Sequence, residues 1–206
     1  MSAAKKGYNM GYQNDNNETK QKILDVTMKM IIEHGMQSIT VRKIALAAGV
    51  NVAAVNYHFG SKGALINKVL ENSLLEMQEI FHELDHQEIP ADERLSKFIS
   101  RYLRFMIRYP DITKNMIQEH IKEHPAKDAF IEYLSGEGSA YLINTIQQIV
   151  PEVDKDSLSM KIMQLFACLA YPILIGNGIS DLFGIELNSN ENIDKYTGLL
   201  IKNIKG

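Results

Sequence analysis

Between Thr40 and Lys62 the chain sets three helix-capping residues, Thr40, Asn51 and Ser61, each ahead of an apolar helical segment. Thr40 can cap a helix over Val41–Ala48, with Ile44 and Ala45 turned inward and Gly49 closing it in the left-handed conformation. Asn51 can cap a second short helix, Val52 to His58. Ser61 can cap a third that runs on through Leu65, Val69, Met77, Ile80 and Leu84. Two short helices cross closely only where a small residue stands at the contact, which Ala45 supplies. They also need a glycine at the turn, Gly49, and apolar anchors behind it, Val50 and Val55. That is the pattern of a helix-turn-helix. Counting 100° per residue from Val55, Phe59 stays near the core while Ala53, Ala54 and Tyr57 point away. An outer face of small residues and one tyrosine suits the major groove of a duplex.

The rest of the chain also reads as helix, so the expected class is all-α. Residues 1–18 lack an apolar period and read as a tail without regular structure. Thr19 can cap a first helix with Ile23, Leu24, Thr27 and Ile31 on one face, ended by Gly35. Beyond the fourth helix, Leu95, Phe98, Ile99, Tyr102, Phe105 and Met106 form one stripe. Arg94, Lys97, Arg101, Arg104 and Arg108 form the opposite face, expected to be solvated and paired with the acidic Glu76–Glu79–Glu83 side of the preceding helix. Pro110 and Pro125 bound a shorter helix, and Gly136 and Gly138 threaten the continuity of the segment from Ala126 to Val150. A long helix from Asp156 to Phe183 carries Pro172, where a kink is expected. A last helix spans Asn190 to Lys205. No alternating apolar and polar run supports a strand. The expected organisation is a tail (1–18), a helix-turn-helix domain (19–65) and a helical body (66–206).

Charge divides along the same lines. The net −3 of the 206 residues conceals a head, 19–65, with six basic against two acidic residues, and a body, 66–206, with 14 against 21. A basic block on an acidic body suits a polyanionic partner. The single Cys168 cannot close a disulfide within the chain, and its neighbours Leu165, Phe166 and Leu169 predict a buried, inert thiol. The N-terminus carries no secretory pattern. The longest apolar run, Leu165 to Gly176, is too short for a membrane span, so a cytoplasmic protein with no membrane partner is expected.

The head resembles that of the tetracycline-repressor (TetR) family of transcription regulators. The resemblance rests on Ile23-Leu24-Asp25, Gly35, Thr40-Val41-Arg42-Lys43-Ile44-Ala45, Ala48-Gly49-Val50 and Tyr57-His58-Phe59-Gly60-Ser61-Lys62, and covers Thr19 to about Leu70. It implies a homodimer that binds a palindromic double-stranded DNA operator as a repressor and leaves it when a small molecule enters the body. It places Thr40 and Arg42 near phosphates, has Tyr57 and His58 hydrogen-bond the DNA backbone, and brings Lys62 to a phosphate. Members often carry a basic residue, a glycine and a threonine where this chain has Val52, Ala53 and Ala54, and an aromatic where it has Asn56. Charged donors are thereby removed from the reading face. Val52, Ala53 and Ala54 can meet thymine methyls, and Asn51 or Asn56 can pair with adenine, which predicts an A·T-leaning half-site. Asn56 equally suits a helix surface or a phosphate contact.

Two histidine pairs suggest metal. His82-Glu83-Leu84-Asp85-His86 matches H-E-x-x-H and His120-Ile121-Lys122-Glu123-His124 matches H-x-x-E-H. Histidines four apart on a helix share a face and can hold one zinc. A zinc hydrolase needs a third ligand and a cleft, and no His or Glu follows His86 at the required spacing before Pro90. A metal-responsive regulator using either pair is the milder alternative, and a helical interaction module with a vestigial head is a third. No nucleophilic triad or phosphate loop is legible, so neither an enzyme nor a cofactor is expected.

Two expectations concern the body. The stripe Ile193, Tyr196, Leu200, Ile201 and Ile204 has nothing later in the chain to cover it. It is expected to pair with its own copy, together with the Asp156–Phe183 helix, as a four-helix bundle. Tyr102, Phe105, Met106, Met116, Tyr133, Tyr141, Met163 and Phe166 are large, adaptable side chains suited to an apolar effector, with His120 or Gln164 as polar groups.

Overall fold

In the computed structural model of the chain, residues 4–117, 125–176 and 178–206 are described, with side chains for all of these except 4–15, 115–117, 125–127 and 130. Among the described residues every regular element is helical. The chain divides into two compact units, residues 1–72 and 73–206.

The first unit holds α1 (Ala4–His34), α2 (Val41–Ala48), α3 (Val52–Phe59) and the opening of α4 (Lys62–His82). Its core is Ile23, Leu24, Ile31, Ile39, Ile44, Ala45, Ala48, Val55 and Leu65. Thr27 is buried among them because its hydroxyl donates to the Ile23 carbonyl at 2.7 Å, which satisfies it within its own helix. α1 begins at Ala4, well before Thr19. Thr19 is therefore an interior residue, and residues 4–18 of the segment read as a tail are helical. No proline interrupts 4–18, and the side chains of residues 16–22 are mostly exposed.

The second unit is a helical body: the rest of α4, then α5 (Ala91–Arg108), α6 (Pro110–Ile117), α7 (Pro125–Tyr133), α8 (Ser139–Ile149), α9 (Lys155–Ile175), α10 (Gly178–Phe183) and α11 (Asn190–Lys205). The helix α5 is its centre, packing on α8, α11, α9 and α6. Phe81 of α4 meets Phe98, Tyr102 and Tyr133 edge-on at centroid distances of 4.9, 5.9 and 5.7 Å. Between α7 and α8 the turn 134–138 is wound as a π-helix, and Gly136 leaves helical geometry (φ −107°, ψ −106°), so the doubtful continuity of this segment resolves as two helices.

Arg94 departs from the sequence expectation. Its helical position assigns it to a solvated basic face, yet its side chain is among the most deeply buried of the described residues. Its guanidinium donates to the Leu84 and Ile89 carbonyls, to Thr145 Oγ1 at 3.4 Å and to Gln148 Oε1 at 2.6 Å. The last turns before α5 present bare carbonyls, and a five-donor planar group can collect them where a carboxylate could not. The other arginines of that face keep to the surface and are paired: Arg101 with Glu83, Arg104 with Asn190 and Asp194, Arg108 with Glu76.

The expected helix from Asp156 to Phe183 is two helices, because α9 ends at Gly176 (φ 61°) and α10 restarts at Gly178. α9 is long and apolar enough, by length and composition, to cross a membrane, with a mean hydropathy of 1.7 over its best window. The unbroken run Leu165–Gly176 understated this, because Lys161 and Gln164 interrupt the run without lowering the average much. Leu158, Leu165, Leu169 and Ile173 on this helix are buried within the body.

A candidate nucleic-acid interface

The local chemistry of the head sets its geometry. Thr40 Oγ1 accepts the Lys43 amide at 3.3 Å and Asn51 Oδ1 accepts the Ala54 amide at 2.7 Å. Ser61 Oγ accepts the Ala64 amide at 3.1 Å. Each cap satisfies a backbone donor at a helix start. Gly49 lies in the left-handed region (φ 63°, ψ 35°), and its turn is closed by Gly49 and Val50 amides donating back to α2. So α2 and α3 are pinned at both ends, and Val55 alone is fully buried on α3.

That single anchor decides what α3 presents. Val52, Ala53, Asn56 and Tyr57 are exposed, Tyr57 at 77% of its surface, while Ala54, His58 and Phe59 are half-buried. The rings of Tyr57 and His58 meet edge-on at 5.3 Å, which limits the swing of Tyr57. Arg42 is exposed and Lys62 is half-buried at the start of α4, where backbone amides and a positive helix end favour an anion. Lys43 is partly committed, since its ammonium donates to the Ser38 carbonyl at 2.9 Å. Asn51 is exposed, but its oxygen belongs to the α3 cap, which leaves Asn56 as the better placed amide for reading bases.

One exposed residue escaped the sequence reading. Leu46 on α2 is 84% exposed. The signal was present: Ile44, Ala45 and Ala48 define the inward face, and Leu46 stands about 200° from Ile44 on that helix.

The metal pairs separate. His82 is the last residue of α4, and His86 follows a 3₁₀ turn over Glu83–Asp85, so the two are not on one regular helical face. Glu83 is taken by Arg101, His86 Nδ1 lies 3.0 Å from Glu88, and His82 stands beside the Tyr141 ring. Among the described residues no three potential ligands gather. His120 and His124 lie outside the described residues.

The candidate effector residues also divide. Tyr102, Phe105 and Met106 are core, with Phe166 against Tyr102 at 5.9 Å. Burial pushes the Tyr102 hydroxyl far above its usual range and the Tyr133 hydroxyl to about 12. Tyr133 Oη is buried and has no hydrogen-bond partner among the described residues, and Tyr141 is half-buried. Met163 is 65% exposed on the outside of α9 and cannot line an internal pocket. The Met116 side chain and His120 lie outside the described residues. Two clefts open elsewhere in the body. One of about 810 Å³ lies among α5, α6, the end of α9 and α10. The other, of about 530 Å³, lies between α9 and α11 and includes Gln164.

The α11 stripe is corrected. Ile193, Leu200 and Ile204 are buried, and α11 packs on α5, with Ser100 and Thr197 hydroxyls 3.1 Å apart and Lys205 on Asp92. An earlier helix covers what no later one could. Tyr196 and Ile201 are half-buried, and Tyr196 bonds within the chain. The large apolar side chains left outside are Met160, Met163, Tyr171, Leu174 and Ile175 on α9 and Leu199 on α11.

A capped pair of short helices with an outward α3, followed along the chain by an all-helical body, defines the class of helix-turn-helix regulatory proteins. Residues 23–69 match the family described as bacterial regulatory proteins, tetR family. The match spans 47 of the 206 residues and lies wholly within the first unit, so the head is similar to that family's DNA-binding region. It is 37% identical over 76 residues to the HTH-type transcriptional regulator AcrR of Shigella flexneri, a match spanning 36% of this chain and about a third (34%) of that relative's length. Its fold is similar to that of a TetR/AcrR-family regulator from Thermobifida fusca, with a TM-score of 0.68, 17% identity, and 89% of this chain and 97% of that one covered. It also resembles AmtR of Mycobacterium smegmatis, with a TM-score of 0.63, 18% identity, and 91% and 86% covered.

Proposed function

We propose that this protein is a cytoplasmic, non-enzymatic repressor of transcription. As a homodimer it binds a two-fold DNA operator and leaves it when a small, largely apolar ligand occupies the body. The observation that carries the reading is the outer face of α3: Ala53, Asn56 and Tyr57 exposed on a helix held by one buried anchor and capped at its start. In this reading Asn56 and the apolar Val52, Ala53 and Ala54 meet base edges. Arg42, Thr40, Tyr57, His58 and Lys62 hold phosphates. The dimer surface is the outer side of α9 and α11, where Met160, Met163, Tyr171, Leu174 and Leu199 stand exposed.

Selection of bound duplexes from a random DNA pool tests it. A two-fold consensus whose affinity falls steeply with salt is the expected result. Enrichment of no sequence, with salt-dependent retention alone, would leave only a non-specific head.

A further inference from the structure

We propose that the cleft of about 810 Å³ binds an amphiphilic monocarboxylate, with its carboxylate on Lys114 and its hydrocarbon part along the floor. The volume is in the range of small-molecule sites. The floor is apolar and built from separate elements: Ile107 of α5, Pro110 of α6, Pro172 and Ile173 of α9, and Ile179 of α10. Pro172 and Ile173 are buried, so this wall is rigid body core rather than loop.

Among the described residues Lys114 is the only cation lining the cleft, and it is half-buried there. Among the described residues it has no ion-pair partner. Its ammonium lies 4.0 Å from where a side chain on Gly176 would begin, and Gly176, at φ 61°, carries none. The close of α9 favours a cation beside its last carbonyls, which holds Lys114 at the apolar wall. A carboxylate entering there gains a charge-assisted bond in partly desolvated surroundings. Asp181 and Glu186 also line the cleft but are exposed, where water screens them. Their sign disfavours a second carboxylate at the mouth, so a monoanion fits better than a dianion. The inference deepens the reading of the body as effector-binding, and rests on that reading for any effect on DNA but not for binding itself.

Calorimetric titration of the full chain in the absence of DNA, with decanoate, decanol and decyltrimethylammonium below micelle formation, tests the site. Decanoate should bind about tenfold or more tightly than decanol, and the cation more weakly than either. Lys114→Met should weaken decanoate about tenfold and leave decanol unchanged. Ser180→Trp, which fills the cleft from its half-exposed α10 side, should abolish both. Equal binding of decanoate and decanol, tighter binding of the cation, indifference to Lys114→Met, or decanoate binding that survives Ser180→Trp would each overturn the proposal. Decanoate binding without release of DNA would count against the regulator reading alone.

Discussion

Tyr196 Oη donates to the carbonyl oxygen of Cys168 at 2.8 Å. That carbonyl is the one whose helical donor would be the amide of residue 172, and Pro172 has no N–H to give. A side chain of α11 thus supplies the bond that the α9 backbone lacks. Burial accordingly lifts the Tyr196 hydroxyl to about 12.

Tyr196→Phe should therefore lower stability by about 1 kcal/mol in urea denaturation. In a Pro172→Ala background, where an amide becomes available to the carbonyl, that loss should shrink. A double-mutant cycle with no coupling between the two positions would disprove the substitution of one donor for the other. Because the raised hydroxyl is neutral in the fold, its contribution is whole below about pH 10. It fades as pH rises toward 12.

Arg94→Met should destabilise the body by about 2 kcal/mol or more, because buried acceptors at Leu84 and Thr145 and part-buried ones at Ile89 and Gln148 lose a charged donor. Arg94→Lys should recover only part of it, since an ammonium lacks the planar fork that reaches all of them. Chemical denaturation of the two variants checks this. A wild-type value for Arg94→Met would return Arg94 to the solvated face.

Leu200→Asp and Met163→Asp should behave differently. Leu200 is 5% exposed within its own chain, so a carboxylate there should cost helicity and solubility. Met163→Asp lies on the outer side of α9 and should keep the circular dichroism spectrum while shifting sedimentation from dimer to monomer. Folded monomers from Leu200→Asp would contradict the burial of the α11 stripe.

Lys62→Ala should weaken specific and non-specific DNA alike and flatten the salt dependence by about one unit. Asn56→Ala should cost about 1–3 kcal/mol at one base position only. Binding titrations on single-base operator variants separate the two patterns. Equal losses across all sequences for Asn56→Ala would assign it to the DNA backbone.

The Asp154 carboxylate caps α9, accepting from the Asp156 and Ser157 amides at 3.0 Å. Bonds from Ser157 hold it below the usual carboxylate range, and Lys205 does the same for Asp92. A depressed acid stabilises the fold fully above its unfolded value, near pH 4, and loses that contribution as pH falls further. Thermal melts at pH 7, 5 and 3 should show the loss in the last interval. Asp154→Asn, which keeps a cap oxygen without a titrating charge, should soften it.

Local signals were legible and long-range ones were not. Thr40, Asn51, Ser61 and Gly49 act within three or four residues, and each caps or turns where its chemistry predicts. The outward face of α3 followed from one period counted from Val55. The α11 stripe misled because periodicity marks an apolar face without saying which helix covers it, and α5 lies some ninety residues earlier, as the 97-residue separation of Ser100 and Thr197 shows. Arg94 misled similarly: its acceptors on α8 are 51 and 54 residues away. The polar start of α1 shows the converse, since an amphipathic stripe is the signal for burial and not for helix itself.

The reach of Arg94 also bears on the order of folding. Its bonds to Leu84 and Ile89 span 10 and 5 residues, whereas those to Thr145 and Gln148 close loops of about fifty. Helices and short turns form in microseconds or less, while a long closure loses chain entropy before its contacts repay it. The near bonds can therefore set the guanidinium in place early, with the α8 bonds added as the body condenses. Removing one of the two α8 partners with Gln148→Ala should then quicken unfolding while leaving the refolding rate almost unchanged.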